Sequence, residues 1–148
     1  MLIVNASVPT GSMEGTIRVN DRIVAFRQSY RFSSPERFDI IVFRGTDDSS
    51  ILYVKRIIGM PGDEINIVNG RVFVNDNPEP LRYDFVQGEV FGNFGPYFVP
   101  ENSYFVLGDN RGNSVDSRHW NTPFVYQGQI LGRVVFRYFP GIQNLANT

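Results

Sequence analysis

Cysteine is absent, histidine occurs once and lysine occurs once, and each shortage removes a class of chemistry. Without thiols there can be no disulfide scaffold, no cysteine nucleophile and no thiolate zinc site. One imidazole, His119, cannot make a multi-histidine metal cluster, so no metal is expected, and any Ser–His triad would have to be built on that ring. A formal net charge of −1 gives no general basic face for neutralising phosphates, so no nucleic-acid partner is expected. No apolar run approaches the eighteen or more residues of a membrane helix, and MLIVNASVPTGS is too short for a signal-peptide core. No window carries a sustained 3.6-residue periodicity with helix caps.

What is present is a set of short Val-, Ile-, Phe- and Tyr-rich segments bounded by turn residues, in an ordinary globular composition of 42% hydrophobic and 20% charged residues. Strands are predicted over 22–28, 38–44, 51–59, 103–107 and 129–138, and residues 2–8 alternate in the same way. Asn69-Gly70 divides two alternating runs in EINIVNGRVFVND, which predicts a β-hairpin over 64–76 because both turn positions favour positive φ. Residues 78–100 interleave Gly88, Gly92, Gly95 and Pro96 with Phe85, Phe91, Phe94, Tyr97 and Phe98, and read as a loop or irregular ribbon. Its aromatics either fill the core or form an exposed rim that touches lipid or a partner. With no internal repeat and no linker, residues 1–148 are expected to form a single, mainly β domain with little helix.

Three segments can carry chemistry. Lys55 stands alone among fourteen basic side chains, the other thirteen being arginines that keep their proton. In an extended strand it shares a face with Tyr53 and Ile57, where burial would free its amine to act as a base; otherwise it is a surface lysine in an arginine-rich chain. Ser12 lies in PTGSM, an irregular segment, and is one of ten serines; as a nucleophile it would need a base beside it. LGDNRGNSVDSRHW, residues 107–120, packs Asp109, Arg111, Ser114, Asp116 and Arg118 into one stretch, either a solvated loop or a hydrogen-bonded buttress.

In this order, PTGSMEGTI, RFDIIVFR, YVKRIIGMPGDEI and LGDNRGNSVDSRHW closely resemble the four sequence boxes of type I signal peptidases, over residues 8–63 and 104–120. The resemblance implies the compact antiparallel β fold of that family and a serine endopeptidase that needs no cofactor. Such an enzyme cleaves signal peptides from exported preproteins after small residues of the Ala-x-Ala type. It implies Ser12 as nucleophile, Lys55 as general base, and Thr10 with the Ser12 amide as the oxyanion hole. Ser114 matches the serine that hydrogen-bonds the lysine, Asp116 and Arg118 match the supporting ion pair, and Asp109 and Arg111 fall on further supporting positions. Val8, Met13, Ile17, Tyr53 and Val54 align with positions lining the pockets for small side chains.

The same resemblance implies a transmembrane anchor upstream of Met1, contact with the lipid surface, and a catalytic domain on the extracytoplasmic face of the cell membrane. Gly15, Phe38, Gly112 and Asn121 depart from the residues common at their positions. Two alternatives stand beside this reading: a self-cleaving repressor-type Ser/Lys protease, and a catalytically inactive binding module of the same fold.

Overall fold

The computed structural model describes residues 3–86, 88 and 90–148; Met1 and Leu2, at the head of the alternating N-terminal stretch, and Gln87 and Glu89, within the aromatic segment, lie outside that description. The described residues form strands β1 (Ile3–Ser7), β2 (Arg22–Phe26), β3 (Ile40–Arg44), β4 (Leu52–Gly59), β5 (Glu64–Val68), β6 (Arg71–Val74), β7 (Phe94–Phe98), β8 (Ser103–Leu107), β9 (Val125–Tyr126), β10 (Ile130–Phe139) and β11 (Gln143–Asn144). Their only helical turns are of the 3₁₀ kind, at Arg27–Tyr30, Arg111–Asn113 and Gln127–Gln129. The protein is therefore mainly antiparallel β, and among the described residues no helix is long and apolar enough to cross a membrane.

The larger sheet runs β1-β2-β10-β3-β4-β8-β9, with β11 paired to β10; the smaller runs β6-β5-β7. Strand sequence follows position in the sheet. Edge strand β1 alternates exposed and half-buried residues, as one solvated face requires, whereas central β3 is buried from Ile40 to Phe43. Ile40 and Val42 enter one core with Val8, Met13, Ile17, Ile23 and Ala25, while Ile41 and Phe43 enter another with Ile57, Tyr104, Val106 and Val125. A third core joins Ile58, Phe105 and Leu107 of the larger sheet to Ile65, Ile67 and Val72 of the smaller.

β5 and β6 pair antiparallel with Val68 opposite Arg71, and Asn69 and Gly70 take φ of 48° and 74° between them. The handedness of this turn matches the twist of the flanking strands. The aromatic segment is divided. Residues 94–98 form β7, on an edge of the small sheet where Pro96 can be tolerated, and the preceding part is irregular. Tyr83, Phe85, Phe94 and Tyr97 pack against the third core, whereas Phe91 and Phe98 are exposed.

β2 and β3 are shorter than their sequence patterns suggest. β2 stops at Phe26, where the chain turns into a 3₁₀ helix, and β3 starts only at Ile40. Phe38 has a φ of 75°, a left-handed conformation costly for a bulky residue, and its ring packs edge-on against Tyr83 and Phe85. Packing thus holds Phe38 in a conformation that glycine adopts more readily.

Candidate active site

Ser12 lies in a tight turn after β1, and the turn is sewn by Glu14 N–H to Gly11 O at 3.1 Å and Ile17 N–H to Met13 O at 2.8 Å. Met13 and Ile17 are fully buried, so the apolar side of the turn is sunk in the core and the Ser12 hydroxyl faces β4. Lys55 lies on β4 opposite Ile41 and is only 2% exposed. The Lys55 ammonium Nζ donates to Ser12 Oγ at 2.6 Å and to the Val54 carbonyl at 3.3 Å, and lies 5.5 Å from the centre of the Tyr53 ring. Burial is the largest influence on this amine and lowers its pKa from 10.5 to about 8, against the upward pull of the Asp116 and Asp109 carboxylates. Once the proton is lost, the same short contact lets the amine accept from the serine hydroxyl.

Thr10 is exposed, and its hydroxyl donates to Ser12 Oγ at 3.3 Å. Asp116 is buried and receives Arg118 through both oxygens, from Nε at 2.9 Å and Nη2 at 2.9 Å. Its Oδ2 also accepts Gly108 N–H at 3.0 Å and Ser114 Oγ–H at 2.7 Å. Burial alone would raise the Asp116 pKa; the Arg118 hydrogen bonds and charge, with Gly108 and Ser114, outweigh it and hold the carboxyl below its ordinary range. Ser114 thus spends its proton on Asp116, and no hydrogen bond joins it to Lys55 among the described residues. This departs from the role expected for it: Ser114 packs the loop beside the amine rather than orienting it directly.

Asp109 and Arg111 serve different neighbours. The fully buried Arg56 grips Asp109 through Nε at 2.9 Å and Nη2 at 2.7 Å, and Thr16 Oγ1 donates to the same carboxylate at 2.7 Å. The Arg56 guanidinium also lies 3.8 Å from the centre of the Phe85 ring and donates to the carbonyls of Phe38 and Thr148. Arg111 donates to Gly108 O at 2.9 Å and to Tyr83 Oη at 3.0 Å. Sequence reasoning passed over Arg56 because, as one arginine of thirteen pointing away from the Lys55 face, it carried no signal.

Ser12 and Lys55 line a groove of about 680 Å³ together with residues 6–10, 51–54 and 112–115. Val8, Met13, Tyr53 and Val54 line it; Ile17, expected among them, is instead wholly buried in the core beside Met13. β8 pairs with β4 only from Arg56 onward, so among the described residues no strand covers that edge of β4 over residues 52–55. Among the described residues, no group of three or more His, Asp or Glu side chains gathers to hold a metal ion.

Fold and site together define a Ser/Lys arrangement on a β scaffold, and comparison with known proteins gives the family. The profile of the family described as signal peptidase, peptidase S26, matches residues 1–139. The chain is 41% identical over 138 residues to a probable signal peptidase I-2 of Synechocystis, an alignment covering 90% of this chain and 62% of that protein. It is 38% identical over 141 residues to a probable thylakoidal processing peptidase 2 of Arabidopsis thaliana, covering 90% of this chain and 37% of that one. A crystal structure of a signal peptidase I from Enterococcus faecalis superposes with a TM-score of 0.57 at 31% identity, over 68% of this chain and 97% of that one. The chain belongs to the signal peptidase S26 family. It spans less than two thirds of the length of the Synechocystis relative and about two fifths or less of the thylakoidal ones.

Proposed function

We propose that this chain is a serine endopeptidase that cuts signal peptides from exported preproteins after small residues, with Ser12 as nucleophile and Lys55 as general base. The observation that carries the reading is the 2.6 Å contact between a buried amine of lowered pKa and a serine hydroxyl that together line an apolar groove. An extended substrate lies along the uncovered edge of residues 52–55, with its small side chains against Val8, Met13, Tyr53 and Val54. Neutral Lys55 takes the Ser12 proton as Oγ attacks the scissile carbonyl, and the developing oxyanion is held by the Ser12 amide and the Thr10 hydroxyl. The ammonium then protonates the leaving amine. Lys55, neutral again, activates the water that hydrolyses the ester. Asp116, tied to Arg118, fixes the loop that lines the groove, and no cofactor enters any step.

The groove's apolar walls favour short apolar side chains, which agrees with an Ala-x-Ala preference. A membrane setting, with the site on the extracytoplasmic face, follows from the substrate, because a signal peptide is held at the bilayer when it is cut. The test is cleavage of an Ala-x-Ala peptide in detergent or lipid by the parent, Ser12→Ala and Lys55→Met. Cleavage after the second alanine by the parent alone is the expected result. Full activity in either variant, or an inert folded parent, overturns the assignment.

A further inference from the structure

Asn110, between Asp109 and Arg111, makes two contacts that no role has yet absorbed. Its side-chain Nδ2 donates to Gly11 O at 2.9 Å, and its backbone N–H donates to Ser12 O at 2.9 Å. Only a donor can face a carbonyl, so the side-chain amide has one possible orientation here. The Gly11 carbonyl belongs to the peptide unit whose N–H is that of Ser12. Because that unit is planar and trans, a bond that fixes its oxygen also fixes the direction of its N–H, on the opposite side. Hydrogen bonding at the oxygen also polarises the N–H and makes it a better donor.

The anchor is rigid. Asp109 is locked to Arg56, Arg111 is bonded to Gly108 O, and Asn113 N–H closes a turn on Asn110 O at 3.0 Å. The loop also lies directly against the nucleophile's backbone, since a Cβ on Gly108 would stand 2.5 Å from Ser12 O. We infer that Asn110 is a positioning residue for the oxyanion hole: it aims the Ser12 N–H at the place where negative charge develops, without touching substrate.

This inference rests on the catalytic reading of Ser12. An oxyanion donor acts in the transition state, so its misdirection lowers kcat and leaves KM nearly alone. Asn110→Ala is expected to lower kcat about ten- to a hundred-fold with KM within about twofold, the scale at which small misplacements act. A peptide aldehyde, whose adduct with Ser12 carries the same oxyanion, should lose affinity by the same factor. Asn110→Asp, which keeps the shape but turns a carboxylate on Gly11 O, should lose at least as much. The Ser12 amide ¹⁵N resonance should move in both variants, a readout that does not need turnover.

An unchanged kcat, a rise in KM alone, an unmoved Ser12 resonance, or a loss no greater than the fraction unfolded in a thermal melt each overturns the inference. Failure of the catalytic reading is told apart by Ser12→Ala: if that variant cleaves like the parent, the reading is wrong, and the resonance alone then decides whether Asn110 orients the amide.

Discussion

The two sides of β4 hold adjacent buried cations treated in opposite ways. Arg56, on one side, has a two-pronged carboxylate, two backbone carbonyls and an aromatic ring around it. Lys55, on the other, has a hydroxyl, one distant carbonyl and an apolar groove. The first arrangement stabilises charge, and the second penalises it. Arginine suits the first because it keeps its proton and forks onto a carboxylate; lysine suits the second because it can give its proton up. One strand thus carries the arginine that anchors Asp109 of the 108–111 loop, to which Thr16 also bonds, and the amine proposed to act as a base.

Substitutions break this contrast in graded ways. Arg56→Met leaves Asp109 buried without its partner and is expected to destabilise the fold by about 3–5 kcal/mol, read by urea unfolding. Lys55→Arg keeps the charge but removes the capacity to act as base, and should reduce cleavage roughly a thousandfold or more in a chain that still folds by circular dichroism. Thr10→Ala tests the groove side without touching either cation, and a fall in kcat of about a hundredfold is expected from loss of one oxyanion donor. An unchanged rate would remove Thr10 from the site.

The smallest effect concerns stability and has the opposite sign to that of Arg56→Met. Folded Lys55 binds its proton less well than the unfolded chain does, so stability is penalised in full below about pH 8 and recovers as pH rises toward 10.5. Lys55→Met should therefore stabilise the protein by roughly 1–3 kcal/mol at pH 7, with the gain fading across that window. Destabilisation at pH 7 would mean that Lys55 is held as a satisfied cation after all.

The same contrast explains what was legible in the sequence. Short β-rich segments and Asn69-Gly70 marked the strands and the hairpin, because alternation and positive-φ residues are local signals. β7 was hidden by Gly95-Pro96 inside it, and the two-residue strands β9 and β11 are too short to leave a pattern. Lys55 stood out by its rarity, whereas Arg56 was lost among arginines and its value depends on Asp109, 53 positions away. Ser114 and Ile17 show the limit of reading roles from motifs: which partner a hydroxyl chooses, and whether an apolar side chain faces a groove or a core, are decided by packing from other strands. Asn110 was invisible for the same reason, since its partners Gly11 and Ser12 lie at the other end of the chain.

The central claim is that Lys55 works as a neutral amine, and the chain's single lysine makes it directly measurable. With ¹⁵N-lysine incorporated, one side-chain amine resonance reports Lys55 alone, and its titration can be set beside the pH dependence of kcat/KM for an Ala-x-Ala peptide. The account requires both curves to share a midpoint near 8, with activity rising as the proton leaves. An amine that titrates near 10.5 while activity is already full at pH 8 would contradict it.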